Sequence, residues 1–228
     1  MKNILSTQLL VLLILSLISC KKESSEPKLA SITTGEVYSF GSYVAFTSGE
    51  VLSDAGEVIT AKGVVWSMST NPTILLSTKT SDGEGIGGFG SELTGLNPNT
   101  TYYVRAYATN NLGTAYGNTV NFTTYGLPTV STTNVTNVFS TSANTGGNVT
   151  SSGGLGVNAR GIAYGTSTNP TIANNTTNDG SGTGSFLTFL SGLNASTLYY
   201  ARAYASNSLG TSYGNQVSFT TSAPTLAT

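Results

Sequence analysis

The chain has 228 residues, and only 8% of them are charged, with 9 Lys and Arg against 10 Asp and Glu. Soluble domains usually carry roughly 25% charged residues, so neutral Ser, Thr, Asn and Gly side chains must keep this surface hydrated. No basic excess is present to hold phosphates, which argues against a nucleic-acid partner. The chain has no histidine, which removes Ser-His-Asp and Cys-His nucleophilic systems and nearly all zinc sites. Composition therefore predicts a protein that is not an enzyme and needs no cofactor or metal.

Residues 1–20 have the features of a signal peptide. A short positive start precedes the apolar run Leu9–Ile18, which is shorter than the ~20 residues needed to span a bilayer. The run ends in Leu17-Ile18-Ser19-Cys20, which resembles the bacterial lipobox, and Cys20 is the single cysteine of the chain. The resemblance implies that Cys20 becomes the first residue of the mature protein and carries lipid that anchors it to a membrane. The alternative is an ordinary secretory signal that happens to end in a cysteine.

Residues 21–28 predict a flexible tether behind this anchor. The segment is charged, contains Pro27 and has no apolar periodicity, as is typical of a linker. Lys21, directly after Cys20, gives no reason for retention in the inner membrane. The run Lys-Lys-Glu partly resembles the export signals of surface-displayed lipoproteins, which usually carry two adjacent acids. We therefore expect an outer-membrane lipoprotein of the cell envelope that is exposed at the surface.

One long segment of the chain occurs twice. Gly63–Ile74 returns as Gly161–Ile172, 98 positions later, and Leu93–Thr124 returns as Leu190–Thr221, 97 positions later. A repeat of nearly 100 residues is too long for a solenoid unit and has the size of a small domain. The sequence therefore predicts two copies of one domain in tandem.

Each copy has the pattern of a β-rich domain. After Lys28, short runs rich in Val, Thr, Tyr and Phe alternate with clusters of Gly, Asn, Ser and Pro, without helical periodicity, and this is typical of many short strands. In Asn110–Gly113 and Asn207–Gly210 we expect hairpin turns. The strands predicted in the first copy are Ser31–Thr33, Tyr43–Val51, Ala61–Ser67, Gly88–Leu93, Thr101–Thr109 and Ala115–Phe122.

The run Leu96-Asn-Pro-Asn-Thr-Thr-Tyr102 resembles the fibronectin type III family, which has a Leu-x-Pro-x-Thr-x-Tyr run before its sixth strand. Leu193–Tyr199 matches it, with Ala195 in place of the proline. The resemblance implies an all-β fold of two tandem immunoglobulin-like β-sandwiches, with Tyr102 and Tyr199 as tyrosine corners. The predicted domains are residues 29–125 and 126–222, and residues 223–228, which repeat the opening phrase of each copy, are interpreted as the stub of a possible third repeat.

Side chains alternate between a core face and a surface face along the strand predicted over Thr101–Thr109 and along its copy in the second domain. The predicted core face is Tyr102, Val104, Ala106 and Ala108, with Tyr199, Ala201, Ala203 and Ala205 in the second copy. The opposite face is a possible ligand face, formed by Tyr103, Arg105 and Tyr107 and repeated as Tyr200, Arg202 and Tyr204. Its rings and guanidinium have the chemistry to stack on sugars. The alternative is that these side chains contact one another and bind no ligand, with the guanidinium between the two rings in a cation–π contact.

The remaining acidic residues do not form a repeated site. The Asp-Gly pairs at Asp82 and Asp179 are interpreted as turns, because a Ca²⁺ site needs six to eight oxygens. The other acids of the first copy have no counterparts in the second, which argues against a paired-carboxylate glycosidase. We therefore expect a non-enzymatic, lipid-anchored envelope protein whose tandem sandwiches serve as spacer, adhesion or protein-interaction scaffold. The alternative is a carbohydrate-binding protein that uses the Tyr-Arg-Tyr faces. The expected partners are a membrane, through lipid on Cys20, and extracellular glycans or proteins.

Overall fold

The structure is a computed structural model that describes residues 28–39 and 41–224. Within these residues every regular element is a β-strand, and none is a helix with the length and apolar character to cross a membrane. The predicted signal peptide with Cys20, the tether up to residue 27 and residues 225–228 of the predicted stub lie outside the described residues. The prediction of an all-β fold of two tandem sandwiches is confirmed.

The first module comprises eight of the described strands. They are β1 Ser31–Thr34, β2 Tyr38–Ser39, β3 Ala45–Ser53, β4 Ala61–Ser67, β5 Gly87–Leu93, β6 Thr101–Asn110, β7 Gly113–Tyr116 and β8 Val120–Thr123. In one sheet β3 is central, with β1 and β2 along one side and β5 on the other; in the second sheet β6 is central, with β4 on one side and β7 and β8 on the other. All these pairs are antiparallel.

The second module repeats this arrangement. Its strands are β9 Thr129–Thr136, β10 Ser142–Ser151, β11 Ala159–Gly165, β12 Asn175–Thr176, β13 Gly184–Ser191, β14 Leu198–Asn207, β15 Gly210–Tyr213 and β16 Val217–Thr220. One sheet has the order β13-β10-β9, and in the other β14 lies between β11 and the pair β15 and β16. The single strand β9 takes the place of β1 and β2.

Each module encloses its own core between its two sheets. Tyr102, Val104, Ala106 and Ala108 of β6 are buried, as the alternation predicts, and so are Tyr199, Ala201, Ala203 and Ala205 of β14. The same alternation along β3 buries every second residue from Ala45 to Val51. The buried apolar side chains form two clusters, one within each module. The hydrophobic driving force is therefore local to each copy.

The prediction of one continuous strand over Ala115–Phe122 is wrong. Two strands occupy this region, because β7 pairs with the end of β6 and β8 pairs with its beginning. At the break, the Thr34 hydroxyl accepts a 2.9 Å hydrogen bond from the Ala106 N–H, and the side-chain oxygen of Asn118 accepts one of 3.0 Å from the Thr34 N–H. Because the strands beside β6 are interrupted here, β1 of the opposite sheet can hydrogen-bond to β6, the central strand.

Candidate functional site

The two arginines of the predicted ligand faces are bound within the modules. The Arg105 guanidinium lies 4.6 Å from the centroid of the Tyr116 ring, and its Nε donates a 3.1 Å hydrogen bond to the Gly117 carbonyl. Arg202 repeats both contacts, at 4.9 Å from the Tyr213 ring and 3.0 Å from the Gly214 carbonyl. The cation–π partner is thus a tyrosine of the neighbouring strand, whereas the sequence predicted a contact with the tyrosines on either side.

The last tyrosine of each predicted ligand face is buried, so the prediction of an exposed three-residue face is wrong. Tyr107 is 5% exposed and Tyr204 7%. Their hydroxyls donate hydrogen bonds of 2.6 and 2.7 Å to the carbonyls of Thr80 and Thr177. Each ring lies opposite a glycine, Gly63 or Gly161; a Cβ on Gly161 would come within 2.9 Å of the Tyr204 ring. Tyr103 and Tyr200, the first tyrosines of the two faces, are partly exposed.

Burial raises the pKa of the Tyr107 phenol above its ordinary value of 10.0, and the neighbouring Asp82 and Tyr116 raise it further. The pKa of Tyr204 is raised in the same way by burial, Asp179 and Tyr213. A folded-state pKa above the unfolded one means that the neutral phenols stabilise the fold fully below about pH 10. This stabilisation is lost as the pH rises through the folded-state pKa.

We therefore expect the double variant Tyr107→Phe, Tyr204→Phe to lose less stability above pH 10 than the natural chain does, each relative to its own value at neutral pH. Thermal unfolding midpoints measured from neutral to alkaline pH test this. Equally steep alkaline losses in the two proteins would show that these phenols do not contribute.

Tyr102 and Tyr199 lie where the tyrosine-corner assignment requires. The Tyr102 hydroxyl accepts a 2.9 Å hydrogen bond from the Asn97 N–H, and the Tyr199 hydroxyl accepts one of 3.0 Å from the Asn194 N–H. Each ring stacks on a phenylalanine, with ring centroids 5.9 and 5.7 Å apart. The hydroxyl therefore fixes the loop before the strand to the core.

Removing one of these hydroxyls tests the corner. In Tyr102→Phe we expect the free energy of unfolding of the first module to fall by about 1 kcal/mol, the usual net contribution of one hydrogen bond. Urea unfolding measures it, and Tyr103→Phe, on the opposite face of the same strand, is the control. An unchanged stability in Tyr102→Phe would refute the corner assignment.

The aspartate of each Asp-Gly segment is hydrogen-bonded to hydroxyl groups of its own module. One carboxylate oxygen of Asp82 accepts from the hydroxyls of Thr80 and Ser91 at 2.6 and 2.5 Å. Asp179 does the same with Thr177 and Thr188, at 2.7 and 2.5 Å. Among the residues that the structure describes, no group of three or more His, Cys, Asp or Glu is placed to hold a metal ion.

Sequence reasoning missed one cation in each module that is bound to backbone carbonyls, Lys62 in the first and the partly buried Arg160 in the second. Lys62 is 6% exposed, and its ammonium donates to the carbonyls of Ile86 and Gly87 at 3.3 and 3.4 Å. The corresponding Arg160 donates through Nη1 to three carbonyls of residues 182–184. The repeat holds a signal for this role, because a basic residue precedes the glycine at 63 and at 161 in both copies. These cations close the Gly-rich loop before β5 and β13.

The connection between the modules is short and hydrogen-bonded. The Asn207 side chain donates 2.8 Å to the Gly126 carbonyl, and the Gly126 N–H donates 2.9 Å to the Gly153 carbonyl. From the first module, the Asn99 side chain donates 3.0 Å to the Leu127 carbonyl. Asn110 holds the Lys28 carbonyl at 3.2 Å, so the entry to the first module is fixed by the same type of contact.

Neither the protein-family models nor the curated proteins contain a match to this chain. Among solved structures, the chain is similar to the crystal structure of the FN1–FN3 domains of chicken CNTN1, with a TM-score of 0.44 and 14% sequence identity. The match covers 85% of this chain and 68% of the chicken chain.

Proposed function

We propose that this chain is a non-enzymatic, lipid-anchored protein of the cell envelope. Its tandem β-sandwich modules serve as a spacer and as an adhesion or protein-interaction scaffold. The observation that carries the proposal is the repetition of one module, with the same internal hydrogen bonds in both copies and a short, bonded connection between them. Tandem modules extend the reach of a surface and add avidity, whereas a second copy adds nothing to a single catalytic site.

The chemistry of the repeated residues supports this role. The arginines, the buried tyrosines and the aspartates that the two copies share are bound to backbone carbonyls, rings and hydroxyls of their own module. Groups held in this way stabilise a rigid sandwich and are not free to transfer protons to a substrate. The fold itself is compatible with many roles. The proposed location in the cell envelope therefore rests on the N-terminal segment.

Lipid on Cys20 is the means by which we propose that the modules are attached. More than one acyl chain is needed for firm anchoring, since each buried methylene contributes about 0.8 kcal/mol. In cells that express Cys20→Ser, we expect the protein to leave the membrane fraction. The control Ser25→Ala, in the predicted tether, is expected to stay in that fraction. Immunoblots of membrane and soluble fractions measure this, and membrane association of Cys20→Ser would refute the lipid anchor.

A further inference from the structure

The outer face of the sheet β9-β10-β13 carries a groove with a volume of about 510 Å³. We call it the sheet groove. Its apolar wall is formed by β13 and its polar wall by β9, with the central strand β10 as the floor. The residues that define it are Leu187 and Phe189 on β13, Thr133, Asn134 and Thr136 on β9, and Asn144 on β10. Its volume lies in the range of small-ligand sites, roughly 300–1,000 Å³.

Alternation along β13 creates the apolar wall. Phe186 and Leu190 point into the core and are 7% and 1% exposed, whereas Leu187 and Phe189 point outward and are 87% and 63% exposed. Two large apolar side chains therefore stand side by side in water. Singly exposed apolar residues are ordinary, but a contiguous patch with a polar rim is typical of a binding surface.

The central strand β10 has a glycine beside the groove. Gly146 lies opposite Leu187, and a Cβ at this position would come to 2.1 Å from the Phe186 carbonyl oxygen, so the close approach of β10 and β13 requires glycine here. On the other side, the pairing of β10 with β9 shifts register between Asn144 and Gly146. Such irregularities bend a strand and re-aim its side chains, and they are frequent beside binding sites.

The first module lacks this apolar wall. In the repeat, Gly90 and Glu92 stand at the positions of Leu187 and Phe189, and their pairing with β3 matches that of β13 with β10. Ser48 and Phe46 replace Gly146 and Asn144 on the central strand. The sandwich therefore forms without Leu187 and Phe189, and these two side chains are not required by the fold.

The lining chemistry fits an uncharged ligand rich in hydroxyl groups. None of the residues that line the sheet groove is ionisable, so the site offers no counter-charge to a phosphate, a carboxylate or an amine. The phenyl ring of Phe189 presents a flat apolar face. The amides of Asn134 and Asn144 each offer donors and an acceptor, and they form no side-chain hydrogen bond within the residues that the structure describes.

We propose that the sheet groove binds a neutral oligosaccharide. One sugar ring lies with its C–H face on Phe189 and beside Leu187, and the amides of Asn134 and Asn144 bond its hydroxyl groups. This inference adds a ligand site to the scaffold role and is independent of the lipid anchor. The second module is the binding module, and the first holds it away from the tether.

A rival occupant of this face is a second copy of the chain. Within the described residues β13 pairs only with β10, so its other edge is open to strand addition. The two occupants can be distinguished by experiment. The sugar binds to a single copy of the protein, so its binding depends on the sugar concentration, whereas pairing of two copies depends on the protein concentration.

The experiment titrates the full chain with neutral hexasaccharides of glucose, xylose and mannose by isothermal titration calorimetry. The test variant Leu187→Gly, Phe189→Glu places at these two positions the residues that the first module has there. The matched control is Ile172→Ala, which removes an apolar side chain that is 51% exposed on the same module outside the groove. Thermal unfolding of each variant verifies that it folds, and Asn144→Ala gives a second, milder test.

We expect at least one hexasaccharide to bind the natural chain and the Ile172→Ala control alike. Affinity should fall about tenfold or more in Leu187→Gly, Phe189→Glu, and several-fold in Asn144→Ala. The proposal is overturned if none of the hexasaccharides binds, or if binding persists in the double variant. It is also overturned if sedimentation shows a concentration-dependent dimer that the double variant abolishes, since a second copy then occupies the face.

Discussion

Leu190→Ala is expected to destabilise the second module by about 2–5 kcal/mol, the usual cost of deleting a buried leucine side chain. Leu190 is 1% exposed and belongs to the apolar cluster of the second module. Because the first module has a separate cluster, its own unfolding should be unchanged. Calorimetry of the variant should therefore show one transition shifted to lower temperature and one in its original place.

The control for this prediction lies on the same strand. Leu187 is 87% exposed, so Leu187→Ala should change the free energy of unfolding by no more than about 0.5 kcal/mol. A single transition that moves as a whole in Leu190→Ala would contradict the account, because it would mean that the two modules unfold as one cooperative unit.

Thr132→Val is expected to cost the second module about 1–3 kcal/mol, the penalty for leaving a buried donor unpaired. The Thr132 hydroxyl accepts a 2.9 Å hydrogen bond from the buried Ala203 N–H, and the Thr132 N–H donates 3.1 Å to the Asn215 side chain. Valine keeps the shape and removes the acceptor. Thr34→Val should have a similar effect on the first module, where the same bond reaches Ala106.

Urea unfolding of Thr132→Val against Thr133→Val makes the comparison. Thr133 is exposed, and its contacts are those of its backbone, which pairs with Gly146 and accepts from the Thr145 hydroxyl at 3.0 Å, so its side chain can be changed at little cost. Equal stabilities of the two variants would show that the link between the sheets does not hold the module together.

The parts of the fold that depend on neighbours along the chain could be predicted from the sequence. Period-two alternation places Tyr102 and Val104 on the core face because each strand residue points opposite to the next. The tandem organisation could be predicted from the repeat, because two copies of one sequence pattern form the same strands and bury the same positions.

The parts that depend on neighbouring strands could not be predicted in this way. Tyr107 stands on the surface side of its strand by alternation, yet it is buried, and the Thr80 carbonyl accepts a hydrogen bond from its hydroxyl. Gly63, which lies opposite Tyr107, allows Thr80 to come this close, because a Cβ on Gly63 would stand 2.5 Å from the Thr80 carbonyl oxygen. Gly63 and its copy Gly161 were the signal available. The sheet groove depends on three strands at once, and the signals for it in the repeat were the differences between Gly90 and Leu187 and between Glu92 and Phe189.

The intact mass of the protein extracted from membranes tests the central proposal most directly. We expect a chain that begins at Cys20 and carries acyl groups on that residue, with the tandem modules behind it. A chain that retains residues 1–19, or one that begins elsewhere with an unmodified cysteine, would contradict the proposed anchor and with it the role as an attached surface scaffold.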